Sequence, residues 1–328
     1  DNAKRLIAKG IDPVQYRKMT RGQKREAQGN TFEAVALEWL SRQKPVWVPR
    51  HARATEQRLR KNLLPWLGRR PIAEITPPEL LEVLRRVEGR GAVETAHRCR
   101  TIAGQVFRYG IACGYCDRDT AADLKGALQP RKPRKMSAIT DPAEVGGLMR
   151  AIDGYQGDLI TRCALKFSAL TFCRPGEIRH AEWPEIIWAK QEWVVPAEKM
   201  KMKRDHVVPL AHQAIKVLKQ LQPLTGKSKY IFPSLRTPTR CMSENTVNAA
   251  LRRMGVSKEE MVAHGFRSTA STLLHENGFD HDVIELQLAH VRRDQVAAAY
   301  DRSHRLPERR KMMAWYADYL DRLKEKGF

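Results

Sequence analysis

The segment QPRKPRKMSAIT, residues 129–140, constrains the fold of this sequence more than any other stretch. Its two prolines cannot continue a helix, because proline lacks the backbone N–H that a helix interior needs. Its four basic residues are Arg131, Lys132, Arg134 and Lys135. The segment is therefore typical of an extended, cationic connector between domains. A chain of 328 residues is long enough for two domains. The sequence predicts a polar, basic linker at 1–29, a domain at 30–128, the connector at 129–140 and a second domain at 141–328.

Amphipathic helices are predicted throughout the first domain. The segment TFEAVALEWLSRQ, which starts at Thr31, has apolar residues at helical spacing. In ITPPELLEVLRRVE, Thr76 is followed by Pro77 and, three residues after Thr76, by Glu79, which together form a capping box at a helix start. A longer amphipathic helix is predicted in VETAHRCRTIAGQVFRYGIACGY. We therefore expect residues 31–128 to be all-helical.

The second domain combines helices with a small sheet. Asp141 and Pro142 mark the start of its first helix, and LITRCALKFSALTF predicts a buried one. The segments IIW, EWVVP and HVVPL alternate in polarity with period two and predict three short strands in an antiparallel meander. From residue 211 onward the pattern is helical again. The predicted fold class is mainly α with a small antiparallel β-sheet.

The charge of the chain indicates a polyanionic partner. The formal net charge is +22 and the pI is about 10.0. Lysines and arginines that neutralise phosphates release counterions, so nucleic acid is the favoured partner. Membrane-surface binding is the competing interpretation, but the sequence has no apolar run that would span a bilayer, no signal peptide and no lipidation motif. The six cysteines fit free thiols in a reducing cytosol, and we expect neither a metal nor another cofactor.

Several residues of the second domain stand where they would be costly without an anion to bind. Arg174 follows the buried helix in TFCRPGEIR, where Pro-Gly predicts a turn; an ion pair with Glu177 is the structural alternative. Lys201 lies in the loop between the second and third strands, where a solvated lysine is the usual interpretation. His264 and Arg267 share one face at the start of a helix predicted over 261–278.

Two further residues complete the series. His290 stands in LQLAH, and Tyr300 follows it ten residues later. A single tyrosine near a C-terminus is usually a packing residue, which is the interpretation that we give to Tyr316 and Tyr319 in AWYADYL.

Taken in order, the motifs RPGEI, KMKRDHVVPL, HGFR and LAH followed by a tyrosine resemble the tyrosine recombinase family, the phage integrases. The likeness is greatest to integrases of satellite phages and genomic islands. The resemblance implies a catalytic set of Arg174, Lys201, His264, Arg267, His290 and Tyr300. Lys203 competes with Lys201 for the lysine role, and the spacing to Pro209 favours Lys201.

These residue types suit the cleavage of a phosphodiester. Two arginines give bidentate donors that stay charged. A cationic pocket favours the phenolate of Tyr300, with His264 as its proton acceptor. Lys201 is the expected acid for the departing 5′ oxygen, and His290 would hydrogen-bond a non-bridging oxygen. Glu177 would orient the basic cluster from behind. The phosphotyrosine stores the energy of the broken bond, so rejoining needs no ATP, and the donor set leaves little need for Mg²⁺.

The resemblance also implies an architecture and partners. It implies a helical core-binding domain and a mixed α/β catalytic domain that close as a C-shaped clamp on DNA, and residues 1–29 resemble the exit helix of an absent arm-binding domain. Expected partners are double-stranded attachment sites, a homotetramer on DNA, a DNA-bending host factor and an excisionase, in the bacterial cytoplasm at the nucleoid and not at a membrane. The expected DNA contacts are Arg131, Lys132, Arg134, Lys135, Lys203, Ser243 and Asn245.

Two other functions remain open at this point. A type IB topoisomerase shares the chemistry but relaxes DNA without exchanging partners. A DNA-binding regulator without catalysis would explain the charge and the helices, but it would not need the ordered series of arginine, lysine, histidine and tyrosine.

Overall fold

The computed structural model describes residues 29–131, 136–200, 203–290 and 305–326. These residues form two compact units, one with the described residues up to 131 and the other with those from 136 onward. Each unit has its own hydrophobic core. None of the described helices is long and apolar enough to cross a membrane.

The first unit is built from helices, as the sequence predicts. The capping box at Thr76 is present, and the Thr76 N–H donates to Glu79 Oε2 at 2.8 Å. Thr31 caps the first helix by accepting a hydrogen bond from the Ala34 N–H at 3.2 Å. A π-helical stretch continues the second helix into the third. The helices are α1 (Phe32–Gln43), α2 (Pro49–Arg58), α3 (Leu64–Leu67), α4 (Pro77–Glu88) and α5 (Val93–Ala112).

The second unit surrounds one central helix, α7 (Leu159–Thr171), which is buried along most of its length. Its N-terminal neighbour is α6 (Pro142–Asp153), where the Asp141 side chain caps the helix as predicted. The later helices are α8 (Pro175–Arg179), α9 (His212–Thr225), α10 (Thr246–Arg253), α11 (Gly265–Glu276), α12 (His281–Gln287) and α13 (Leu306–Glu325).

The predicted meander is confirmed as a three-stranded antiparallel sheet of β1 (Ile186–Ile187), β2 (Glu192–Val195) and β3 (His206–Pro209). Trp193 lies opposite Val208, and both are fully buried. The Trp193 indole N–H donates to the buried Glu185 carboxylate at 2.9 Å. The sheet therefore packs one face into the core and holds the β2–β3 loop at one edge.

A second hairpin corrects the prediction that the chain is helical from residue 211 onward. Strands β4 (Pro233–Ser234) and β5 (Thr237–Cys241) pair antiparallel. Strand β5 is mostly exposed, so it lacks the alternating apolar pattern by which a strand is recognised in a sequence. Buried Phe232 and Met242 flank the hairpin and join through a backbone hydrogen bond of 2.9 Å. Tertiary packing at its base therefore defines this element.

Candidate active site

Arg174 lies where the chain leaves the central helix. Phe172 ends α7 in the left-handed conformation, with φ of 41°, and Arg174 then caps α8. The Pro-Gly pair was expected to force a turn, but it forms the first turn of this short helix, because proline suits the first helical position. The structural alternative is also realised: Arg174 Nη1 donates to Glu177 Oε1 at 2.8 Å. Glu177 Oε2 accepts from the Arg174 backbone N–H at 2.9 Å.

Arg267 converges on the same place from another helix. Its side chain is buried in the first turn of α11, and the residue is only 4% exposed. Nη1 donates to the Phe172 carbonyl at 3.0 Å and Nη2 to the Leu288 carbonyl at 2.6 Å. Burial lowers the pKa of this guanidinium, and the positive charge of Arg174 lowers it further. A cation held in this way is stabilised by an anion placed beside it.

Both arginines bind backbone carbonyls of the residues that directly precede His290. Arg174 Nη2 donates to the Ala289 carbonyl at 2.8 Å, next to the Leu288 carbonyl that Arg267 binds. His290 Nε2 lies 3.0 Å from Arg267 Nη2, and its Nδ1 lies 3.0 Å from Glu285 Oε2. The structure therefore brings together three of the predicted site residues, Arg174, Arg267 and His290.

His264 stands at the edge of this cluster. The predicted helix over 261–278 is shorter in the structure: α11 begins at Gly265, so His264 occupies the position before its first turn. Burial lowers the pKa of His264, and the positive charges of Arg267 and Arg174 lower it further. An imidazole that is neutral at physiological pH can accept a proton, so this environment suits a general base.

Lys201 and Tyr300 lie outside the described residues, but the elements beside Lys201 are defined. Strands β2 and β3 flank the segment that contains it. At the base of that loop, Lys199 Nζ donates to Glu182 Oε1 at 2.6 Å and to the His180 carbonyl at 2.9 Å, and it also pairs with Glu185. Lys203, the competing lysine, is exposed and has a φ of 50°.

The other predicted DNA contacts belong either to the segment before α10 or to the connector. Exposed Ser243 and Asn245 precede α10 and line an open cavity of about 580 Å³ together with Arg236 and Arg253. Arg131 is paired with Glu94 of the first unit at 3.1 Å. Lys132, Arg134 and Lys135 lie outside the described residues.

Two groups of polar residues at or near the site were missed by the sequence analysis. One is Glu285, which bonds His290; a half-buried acid five residues before a histidine carries no signal in the sequence by itself. The other is a buried set in which Arg309 Nη2 donates to Gln287 Oε1 at 2.6 Å and to the Val207 carbonyl at 2.6 Å. Its components lie on three elements that are distant in sequence, so no local pattern reveals it.

Comparison with known families supports the same interpretation. The phage integrase central domain matches residues 32–127, and the phage integrase family matches residues 139–305. The chain is 38% identical over 341 residues to the integrase of Enterobacteria phage P4, covering 99% of this chain and 77% of that protein. It is 38% identical over 318 residues to the prophage integrase IntA of Escherichia coli K12, covering 97% of this chain and 76% of that protein.

Solved structures show the shared fold. A lambda integrase dimer bound to a COC′ core site aligns with a TM-score of 0.61 at 20% identity, over 82% of this chain and 77% of that one. A lambda integrase tetramer bound to a Holliday junction aligns with a TM-score of 0.62 at 18% identity, over 79% of this chain and 78% of that one.

Proposed function

The chain belongs to the phage integrase family, and from this premise we propose how its own residues carry out site-specific DNA recombination. The protein is a tyrosine-type recombinase that integrates or excises a mobile element. The observation that carries the assignment of roles is that Arg174 and Arg267 donate to the neighbouring carbonyls of residues 289 and 288, and that Arg267 Nη2 also lies 3.0 Å from His290 Nε2. Because these side chains lie together and the charges of Arg267 and Arg174 also act on His264, the cluster suits a single phosphodiester group.

The two arginines neutralise the phosphate. In each guanidinium, Nη1 and Nη2 each donate one hydrogen to a protein oxygen, and this fixes the plane of the guanidinium. The remaining N–H groups are left to bind non-bridging oxygens, on which negative charge accumulates in the transition state. Glu177 holds Arg174 in this orientation.

Tyr300 is the nucleophile in this proposal. Its phenolic oxygen bonds to phosphorus while the bond from phosphorus to the 5′ oxygen breaks, which leaves a 3′-phosphotyrosine. His264 takes the phenolic proton, and Lys201 gives a proton to the departing 5′ oxygen. Attack by a different 5′ hydroxyl reverses these steps and joins the new partner. No ATP or metal takes part in this scheme.

The partners follow from the family. We propose that four copies assemble on two double-stranded attachment sites, in line with the related lambda integrase tetramer on a Holliday junction. A DNA-bending host factor and an excisionase would set the direction of recombination. These reactions would take place at the bacterial nucleoid.

Trapping the covalent intermediate tests the proposal. Sequencing the junctions that the purified protein forms on genomic DNA identifies its site, and a nicked suicide duplex of that site should then give a denaturation-resistant adduct. Tyr300→Phe should abolish the adduct, whereas Tyr319→Phe should retain it. Tyr316→Phe should also retain it, because Tyr316 is buried against Phe172. Loss of the adduct in Tyr319→Phe alone would refute the assignment, and so would cleavage that EDTA stops and Mg²⁺ restores.

A modified leaving group tests the role of Lys201. Lys201→Ala should lose cleavage by about 10²–10⁴-fold, which is the usual size of an acid–base contribution. A duplex with a 5′-bridging sulfur should rescue this variant, because a thiolate leaves without an acid. It should not rescue Arg174→Ala. If Lys203→Ala lost cleavage and the sulfur duplex rescued it, while Lys201→Ala stayed active, the general acid would be Lys203.

A further inference from the structure

Both ring nitrogens of His290 have a hydrogen-bond partner, and the chemistry of each partner assigns a donor or acceptor role to each nitrogen. Arg267 Nη2 lies 3.0 Å from Nε2, and a guanidinium can only donate, so Nε2 is the acceptor. The proton of the neutral ring is then on Nδ1, which donates to Glu285 Oε2 at 3.0 Å. In this hydrogen-bonding arrangement, the Nε2 lone pair faces Arg267 and the Nδ1 hydrogen faces Glu285.

This state is the opposite of the one that phosphate binding requires. To hold a non-bridging oxygen, Nε2 must donate a hydrogen bond, so it needs a proton. Turning the ring over would supply one but would break the bond to Glu285. A carboxylate bound to Nδ1 instead favours the imidazolium form, because an opposite charge at hydrogen-bond distance stabilises the charged state.

We propose that Glu285 is a positioning residue that couples binding of the scissile phosphate to the uptake of one proton by His290. The inference rests on the proposed function, since the phosphate is the group that the site would bind. The balance is simple: an N–H bond forms at Nε2 with a proton from solvent, and no other covalent bond changes. The Arg267 N–H that Nε2 had accepted turns to the phosphate.

The surrounding charges explain why the proton arrives with the DNA. Arg267 Nη2 lies 3.0 Å from Nε2, and Arg174 binds the carbonyl of Ala289, the preceding residue, so both positive charges oppose a further one while no phosphate is bound. The Glu177 carboxylate is committed to Arg174 at 2.8 Å. Among the described residues that face His290, Glu285 is the carboxylate that bonds to its ring. A phosphate adds the negative charge that offsets the arginines, and Glu285 then holds the imidazolium.

Calorimetry in buffers of different ionisation enthalpy counts the protons taken up. The titrant is a duplex half-site taken from the sequenced junctions, and the full chain carries Tyr300→Phe so that no cleavage occurs. The parent should take up close to one proton near pH 8. Glu285→Gln should lose most of this uptake, because its amide can still accept from Nδ1 but carries no charge. Glu276→Gln, which removes the same charge from the exposed end of α11, should leave the count unchanged.

A pH profile gives a second readout. With Tyr300 intact, the alkaline limb of suicide-substrate cleavage should move to lower pH by about one unit in Glu285→Gln, the size expected for loss of an adjacent opposite charge. His290→Gln should take up no proton at this step. Unchanged proton counts in Glu285→Gln or in His290→Gln would overturn the inference while Tyr300 still forms its adduct. Absence of the adduct in the wild type would instead refute the proposed function.

Discussion

Among the described residues of the second unit, Arg309 is the most deeply buried charged residue, at 1% exposure. Burial lowers the pKa of its guanidinium to about 10. Its Nε and Nη2 both donate to Gln287 Oε1, and Nη2 also reaches the Val207 carbonyl. One side chain therefore ties α13 to the strand beside the Lys201 loop and to the helix that leads to His290.

Replacing Arg309 should be costly for folding. Arg309→Met leaves the Gln287 side-chain oxygen and the Val207 carbonyl without this donor inside the core, and each buried acceptor left unsatisfied costs about 1–3 kcal/mol. Urea unfolding, followed by a spectroscopic signal of the second unit, measures the change in the free energy of unfolding. Lys311→Met, an exposed substitution two residues away, should change stability by less than about 0.5 kcal/mol. Equal effects of the two variants would contradict the role given to Arg309.

His206 makes the fold sensitive to acid. Burial, together with the charge of Arg309, lowers its pKa to about 3, while its Nε2 lies 3.1 Å from the Gln287 carbonyl. The unfolded chain binds this proton from about pH 6.5 downward and the folded chain does not, so stability is present above pH 6.5 and is lost between about pH 6.5 and 3.

Removing the His206 titration should flatten the pH dependence of stability. From pH 7 to pH 5, this group alone should lower the free energy of unfolding of the wild type by about 2 kcal/mol. His206→Gln should lose less stability over the same range, because glutamine does not titrate. The free energy of unfolding at the two pH values measures the difference. His212→Gln, at an exposed position, should keep the wild-type dependence; a variant of His206 that also keeps it would refute the assignment.

At the scale of elements, the contact between α6 and α13 closes the second unit. Gly146 faces the carbonyl end of α13, where an added Cβ would lie 2.2 Å from the Leu323 carbonyl oxygen. Arg150 Nη1 donates to the Lys324 carbonyl at 3.0 Å, and Lys324 pairs with Asp153 at 3.0 Å. The helices therefore approach each other at backbone distance, and only glycine fits at the point of contact.

Two adjacent glycines give a matched test of this packing. Gly146→Ala should destabilise the protein by about 1–3 kcal/mol, because the helices must separate. Gly147→Ala should stabilise it by about 0.4–1 kcal/mol, because alanine is the better helix former and its Cβ meets nothing nearer than Arg150 Nη2 at 3.8 Å. Thermal unfolding gives both values, and effects of the same sign would contradict the packing argument.

At the scale of the whole molecule, a net charge of +22 serves binding of the DNA backbone. The prediction that two basic domains hold one duplex between them, with residues 129–140 along its backbone, stays a prediction. The structure adds one detail, since Arg131 is already paired with Glu94. Because Glu94 already offsets its charge, Arg131 has less positive charge to offer a phosphate than an unpaired arginine would.

The salt dependence of DNA binding tests the connector. Changing Lys132, Arg134 and Lys135 together to serine should reduce the log–log slope of affinity against salt by up to about 0.9 per lost phosphate contact, without altering site choice. Arg131→Ser should change the slope less. Half-site binding across a salt series measures both. Slopes identical to the wild type would leave the connector as a tether, and a changed sequence preference would show that it reads bases.

The sequence by itself determined those features that depend on residues close together along the chain. The caps at Thr76 and Asp141 were predictable because their partners lie within three residues. Gly278, with φ of 77°, follows the end of α11 as expected, because glycine pays no penalty in that conformation. The three-stranded meander was predictable because its strands alternate in polarity and follow one another along the chain.

Contacts between distant segments were decided only by the tertiary structure. Arg267 bonds the carbonyl of Phe172, which is 95 residues away, and Arg309 reaches Val207 across 102 residues. The sequence marked Arg267 as a site residue through its spacing from His264, but it gave no sign of Arg309, whose partners are backbone and amide groups. Burial and hydrogen-bond geometry at such points depend on how the helices pack, and no run of adjacent residues encodes that arrangement.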